Sequence, residues 1–318
     1  MYLVITIDTE EDNWGDYSSE SFGIENIKKI PSLQKLFDEF HVTPTYLVTY
    51  PVATNQEASS ILKSILQQGK CEIGAHCHPW STPPFEEERN PYNSMLCNLP
   101  YDLQRKKIGA LHEAIEKNFG VEPKSFRAGR WGYNGDTARV LREAGYRVDT
   151  SVTAFTDWSE YHGPDYSTIL PVPYRFNAPE IFVSRPDGEL LEIPATVGYL
   201  QDNSKLCNSL DRFLTSRPGR LFRMKGLLSK VRLLNKIILS PEGSESNQLI
   251  KLTKMFMRKK AEIVNMFFHS TSLQAGLSFI VTTKVDEIQF SNRIREYLTF
   301  TRDAGVKPIT LSGAADVI

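Results

Sequence analysis

Cysteine is scarce in this chain. Its four residues, Cys71, Cys77, Cys97 and Cys207, show no CxxC or paired spacing, so no disulfide framework is expected and the thiols read as reduced. No run of about 18 apolar residues occurs, so no segment reads as a membrane-spanning helix. An excess of one charge is also missing: 37 Lys and Arg stand against 38 Asp and Glu, which argues against a nucleic-acid binder. No Gly-rich phosphate loop follows any predicted strand, and neither short repeats nor low-complexity tracts appear. The opening MYLVITIDTEED is too short and too acidic for a signal peptide, so a cytoplasmic location is expected.

What remains is an ordinary globular composition, 41% hydrophobic and 24% charged over 318 residues, enough for one large barrel or two ordinary domains. Buried-strand patterns at LVITID, PTYLVTY, CEIGAHCH, KSFRAGRW and YRVDTSVT alternate with amphipathic helical ones. The helices fall near 24–40, 56–68, 101–119 and 135–145. Such alternation means parallel strands joined by crossover helices. Residues 157–200 change character, with IFVSRPDGELLEIPAT reading as a hairpin that turns at Asp187-Gly188. Two more units follow, helix 244–262 into VNMFFHS and helix 285–304 into KPITL. The expected fold is α/β, a distorted (β/α)7-type barrel filling one domain over 1–318. Within it, 157–243 is expected to form an inserted lid region with an irregular β-hairpin and a basic helical segment.

Chemistry-bearing residues gather at the strand ends, where parallel α/β folds place their sites. In ITIDTEED, strand alternation puts Asp8 and Glu10 on one face, and two adjacent carboxylates call for a cation or proton between them. In AHCHPW, His76 and His78 likewise share a face and can bind one metal ion, while Cys77 points away. Arg127 leaves an apolar strand and needs an anionic partner, for which Asp8 or Glu10 is available. Asp149 in VDTSV and His269 in FFHS end later strands. Each of these five stations also has a bland reading as an acidic loop, a satisfied core histidine or a surface arginine. Their order along successive strands is the informative feature.

That order resembles the polysaccharide deacetylase family (NodB homology, carbohydrate esterase family four) across nearly the whole chain, and in detail a subgroup tied to lipopolysaccharide and surface-glycan biosynthesis. ITIDTEED is similar to the family's first motif, EIGAHCHPW to the second, SFRAGRWG to the third, VDTSV to the fourth and FFHS to the last. The chain departs from the pattern in three places. Thr9 separates the acids, the histidines are one residue apart instead of a helical turn, and Gly129 stands where a proline is usual.

The resemblance implies metal-assisted removal of an N-acyl group, in the first place N-acetyl, from an amino sugar that is free, nucleotide-linked or lipid-linked. It implies one divalent ion, zinc by default, on Glu10, His76 and His78, with Glu11 as the reserve acid. Asp8 would be the base, Arg127 its partner, His269 the acid protonating the amine, and Asp149 the support of His269. A backbone N–H near Gly129 or Arg130 would face the oxyanion, and Trp80, Arg130, Trp131 and Tyr133 would contact the sugar. Alternatives are a metal hydrolase of a non-sugar amide or cyclic imide, and a barrel that binds glycan without cleaving it. Residues 212–236 hold eight basic side chains and no acid among leucines, which suits either an anionic membrane surface or a solvated basic face.

Overall fold

A computed structural model describes residues 1–12, 17, 22–215 and 234–318. The first half alternates as the periodicities predict: β1 (Tyr2–Thr9), α1 (Ile30–Glu39), β2 (Thr45–Val48), a short α2 (Tyr50–Thr54) with α3 (Gln56–Gln67), then β3 (Glu72–Cys77). It continues through α4 (Tyr101–Phe119), β4 (Ser125–Ala128), α5 (Gly135–Glu143) and β5 (Val148–Asp149). Gly120 closes α4 with φ of 78°, a left-handed stop that glycine adopts without steric cost. The second half holds β6 (Tyr174–Phe176), β7 (Leu190–Glu192), β8 (Val197–Tyr199), α6 (Ser204–Thr215) and β9 (Lys236–Ile238). Then come α7 (Ser246–Arg258), β10 (Ile263–His269), α8 (Lys284–Asp303) and β11 (Lys307–Pro308).

The main sheet runs β10-β1-β2-β3-β4-β5-β7-β6, with β11 also on β1. Every neighbouring pair is parallel except β6–β7, so β10, β1, β2, β3, β4, β5 and β7 form a curled parallel half-barrel. The seam between β7 and β10 is stitched by backbone. Thr196 N–H donates to Asn265 O (3.2 Å), Leu239 N–H to Thr196 O (2.8 Å) and Phe267 N–H to Leu239 O (3.2 Å).

Alternation sorts each strand between two cores. On the outer face Leu3, Ile5 and Ile7, Ile73, Ala75 and Cys77, Phe126 and Ala128, and Met266 and Phe268 pack with the helices. On the inner face Val4, Leu47, Val148, Leu191 and Ile263 meet Leu311, Ala314 and Ala315 from the C-terminal turn, which plugs the end where the strands begin. Strands buried on both sides explain why the sequence shows near-continuous apolar runs there.

Two details differ from expectation. The hairpin uses Tyr174–Phe176 opposite Leu190–Glu192, not the IFVS segment. Pro186 lacks the N–H a ladder needs, and Gly188 packs so closely on the backbone of Phe176 that a side chain there would collide. Residues 174–192, within the stretch expected to be inserted, therefore pair into the main sheet. The basic positions Arg217, Arg220, Arg223, Lys225, Lys230 and Arg232 lie outside the described residues. Among the described residues, no helix is long and apolar enough to cross a membrane.

Candidate metal and acid–base site

At the C-terminal end of the strands the inner face turns polar. Arg127, wholly buried, donates from Nη1 to Asp8 Oδ1 (2.5 Å), from Nη2 to Thr6 Oγ1 (2.7 Å) and from Nε to Thr150 O (3.1 Å). Its guanidinium lies over the rings of Trp131 (5.0 Å) and Phe267 (5.6 Å). Burial pushes the Asp8 carboxyl up, but Arg127, His76 and His269 together hold it below its usual value. Asp8 is thus an ionised carboxylate with one oxygen fixed. The other, Oδ2, lies 3.9 Å from His76 Nε2 and 3.7 Å from His269 Nε2.

Glu10, His76 and His78 converge beside it, each offering a ligand atom within 4.8 Å of the others. His76 Nδ1 faces the Arg127 carbonyl at 3.0 Å and His78 Nδ1 faces Glu11 Oε1 at 3.1 Å. An acceptor opposite each Nδ1 places the proton there and leaves both Nε2 lone pairs aimed inward. Those two nitrogens stand 2.9 Å apart, and Glu10 Oε2 is 3.7 Å from one and 3.4 Å from the other. Neither Glu10 oxygen has a hydrogen-bond partner. Burial keeps the His76 imidazole neutral, lowering its pKa to about 3. Burial also drives the Glu10 pKa well up, with the nearby Glu11 and Asp8 carboxylates adding to it. Two lone pairs and a buried carboxylate with no donor among them fit a divalent cation, and the donor set suits zinc, iron, cobalt or nickel. Glu11 serves as the outer partner: burial works against its charge, yet His78 holds its pKa down to about 2.

His269 lies opposite, in register with Asp8 across β1 and β10. Its support is Glu242, from the loop between β9 and α7. Oε2 meets His269 Nδ1 at 2.9 Å, while Oε1 accepts from His269 N–H (3.0 Å) and Ser272 Oγ (2.6 Å). Burial opposes the imidazolium, but Glu242, Glu10 and Asp8 raise its pKa to about 10. The support expected from Asp149 is therefore corrected. On β5 it is Val148 and Thr150 that face inward, so alternation turns Asp149 to the outer face. There it accepts from Ser151 N–H and Oγ (3.0 and 2.7 Å) and sits in register beside Glu192. Burial and the Asp149 carboxylate drive the pKa of Glu192 well up, so the pair retains a proton.

A cavity of ≈ 990 Å³ opens over these groups, walled in part by Trp80, Arg130, Trp131 and Trp158. Trp80 stacks on His78 (4.2 Å between centroids, 21° between planes). Tyr133, expected at the sugar, is 1% exposed and packs in the outer core next to Asp149 and Glu192. The cause is the turn at 129–132, where Arg130 (φ 53°) and Trp131 (φ 63°) are left-handed and reverse the chain. Glu242 was not legible beforehand. Set in SPEGSES, it reads as an acid ahead of a helix start, and only the seam brings it to β10.

Residues 28–148 match the family model described as polysaccharide deacetylase. That stretch carries His76, His78 and Arg127 and stops short of Asp8, Glu10 and His269. Among curated proteins, none matches the sequence. The chain is similar in fold to a candidate polysaccharide deacetylase from Mycobacterium smegmatis, at 16% identity and TM-score 0.58, over 99% of this chain and 90% of that one. It is similar to a candidate glycoside hydrolase/deacetylase from Parabacteroides distasonis, at 11% identity and TM-score 0.62, over 99% and 70%. A 4-alpha-glucanotransferase from Thermococcus litoralis shares the fold at 13% identity and TM-score 0.57, over 100% of this chain and 40% of that one. A polysaccharide deacetylase match over residues 28–148 thus sits on a barrel fold shared, over nearly the whole chain, with solved proteins whose titles name deacetylases and a glucanotransferase.

Proposed function

We propose that this protein is a metal-dependent carbohydrate N-deacetylase that removes an acyl group, in the first place acetyl, from an amino sugar. The observation that carries the reading is the meeting, in one cavity, of an ionised Asp8 held by Arg127, a protonated His269 held by Glu242, and the donor triad Glu10, His76 and His78. A divalent cation on that triad, zinc by default, supplies a Lewis acid for the acyl carbonyl and for a water molecule. Asp8 Oδ2 accepts one proton from the water as its oxygen adds to the acyl carbon. His269 Nε2 then delivers its proton to the nitrogen as the C–N bond breaks, so acid and amine leave with the proton count balanced. Glu11 and the Arg127 carbonyl keep the histidine tautomers fixed throughout. A backbone N–H near Gly129 or Arg130 would support the developing oxyanion, and Trp80 and Trp131 would take the sugar faces.

The same reading places the whole of 1–318 in one barrel domain, with residues 157–243 supplying Trp158, Val197, Lys236 and Glu242 to the cavity wall. It assigns the enzyme to surface-polysaccharide or lipopolysaccharide synthesis at the cytoplasmic side of the membrane, with a nucleotide- or lipid-linked sugar as substrate. The basic residues between 212 and 232 would contact anionic lipid, while Lys236 lines the cavity. Elemental analysis of the purified protein, followed by a screen of N-acetylated sugars for amine release, tests the proposal. A metal-loaded protein that frees no amine from any of them would overturn it.

A further inference from the structure

The turn between β4 and α5 holds a cation that the reaction above does not use. Arg130 is half-buried in the cavity wall, and its Nη1 donates to Ser94 Oγ while its guanidinium lies 5.7 Å from the ring centre of Tyr17. No carboxylate lies within salt-bridge distance of it among the described residues, and no acidic side chain contributes to its electrostatic surroundings. Other half-buried arginines are answered: Arg293 by Glu245 and the Pro241 carbonyl, Arg175 by the Ala315 and Ile318 carbonyls. Arg127, three residues earlier on β4, has Asp8. A guanidinium taken partly out of water without a counter-charge is unfavourable until an anion arrives.

The backbone is built to keep Arg130 there. Arg130 and Trp131 both hold left-handed φ values that side-chain-bearing residues rarely adopt. Gly129 on one side packs against Cys77 O, and Gly132 on the other against Leu96 N, at distances (2.8 and 2.9 Å for an added Cβ) that exclude any side chain. The planar fork of donors on Arg130 matches a two-oxygen anion, with Trp131 beside it.

We infer that the sugar bound in this cavity carries an anionic oxygen group, a carboxylate or a phosphate, that docks on Arg130. This rests on the deacetylase reading for the identity of the sugar, but not for the presence of the anion site. The test compares three probes on the full chain: N-acetylglucosamine, its 1-phosphate, and N-acetylmuramic acid, which carries a carboxylate. Binding is followed by tryptophan fluorescence and calorimetry at two salt concentrations. One anionic sugar should bind about 10- to 100-fold tighter than the neutral one, the usual worth of a charged hydrogen-bonded contact, and the preference should shrink with salt. Whichever probe wins separates phosphate from carboxylate. R130M should abolish the preference and R130K should keep part of it, with unfolding curves checking that both variants fold. Equal binding of all three sugars, or a preference that survives R130M in the folded protein, overturns the inference. Amine release is scored separately. Its absence from every probe, with the anion preference intact, would sink the deacetylase reading and leave the anion site standing.

Discussion

The imidazole of His78 occupies the space that a side chain at position 129 would need. A Cβ added at Gly129 would collide with His78 Cδ2 and stand 2.8 Å from the Cys77 carbonyl. The closely spaced histidines and the glycine after the arginine strand thus meet at one contact. Gly129→Ala should cost about 1–3 kcal/mol, as overpacking usually does, because the carbonyl cannot swing away. It should also lower metal affinity by displacing the ring. Thermal unfolding and metal titration of the variant check both effects.

Glu11 Oε1 faces His78 Nδ1 at 3.1 Å and stands outside the converging triad of Glu10, His76 and His78. Glu11→Gln should weaken metal binding by about 10- to 100-fold, the range found for outer partners of ligating histidines. His76→Ala, His78→Ala and Glu10→Ala should each lose the metal. Competition against a chromophoric chelator measures all four. An unchanged affinity in Glu11→Gln would mean that the Nδ1 contact does not set the tautomer.

Asp8 and Glu10 should fail in different ways. Asp8→Asn keeps the triad and should retain metal, while turnover falls by roughly 10²- to 10⁴-fold, the usual worth of a positioned base. Arg127→Met removes the cation that holds Asp8 ionised, so the acid limb of the kcat/KM profile should move upward. Full activity in Asp8→Asn would place the base elsewhere.

The pH dependence has a definite sign. The proposed mechanism needs Asp8 ionised and His269 protonated, so the basic limb should follow His269, whose pKa is raised to about 10 from an ordinary 6.5. A group with a raised folded-state pKa adds stability that is fully present below 6.5 and lost as pH rises through 10. Glu242→Gln should pull the basic limb down and flatten the fall in stability over that window. Rate profiles and urea unfolding between pH 6 and 10 provide the two readings.

Strand alternation was the most informative signal in the sequence. It put Asp8 with Glu10 and His76 with His78, and each pair faces the same interior. The wrong support for His269 came with the resemblance, and a two-residue strand is too short for alternation in the sequence to show that Asp149 faces outward. Tyr133 was misplaced for a related reason, since left-handed φ at two consecutive non-glycine residues breaks any extrapolation of facing along the chain. Glu242 and the seam through Thr196 and Leu239 come from segments without periodicity, where position depends on contacts distant in sequence. The YRF strand hid in a Pro-rich stretch because its partner, not its own composition, makes it a strand.

The register of β1 against β10 fixes the order in which the site can be assembled. Thr6 and Asn265, hydrogen-bonded in the barrel interior, are 259 residues apart, and Asp8 meets His269 in the same ladder. On the proposed reading, the base Asp8 and the ligands Glu10, His76 and His78 lie in the first quarter of the chain, whereas the acid His269 arrives on one of its last strands. A growing chain therefore carries an exposed acidic strand edge until β10 is synthesised and docks, and closing so long a loop makes that step slow. On the proposed reading, the site is complete only once β10 has docked beside β1.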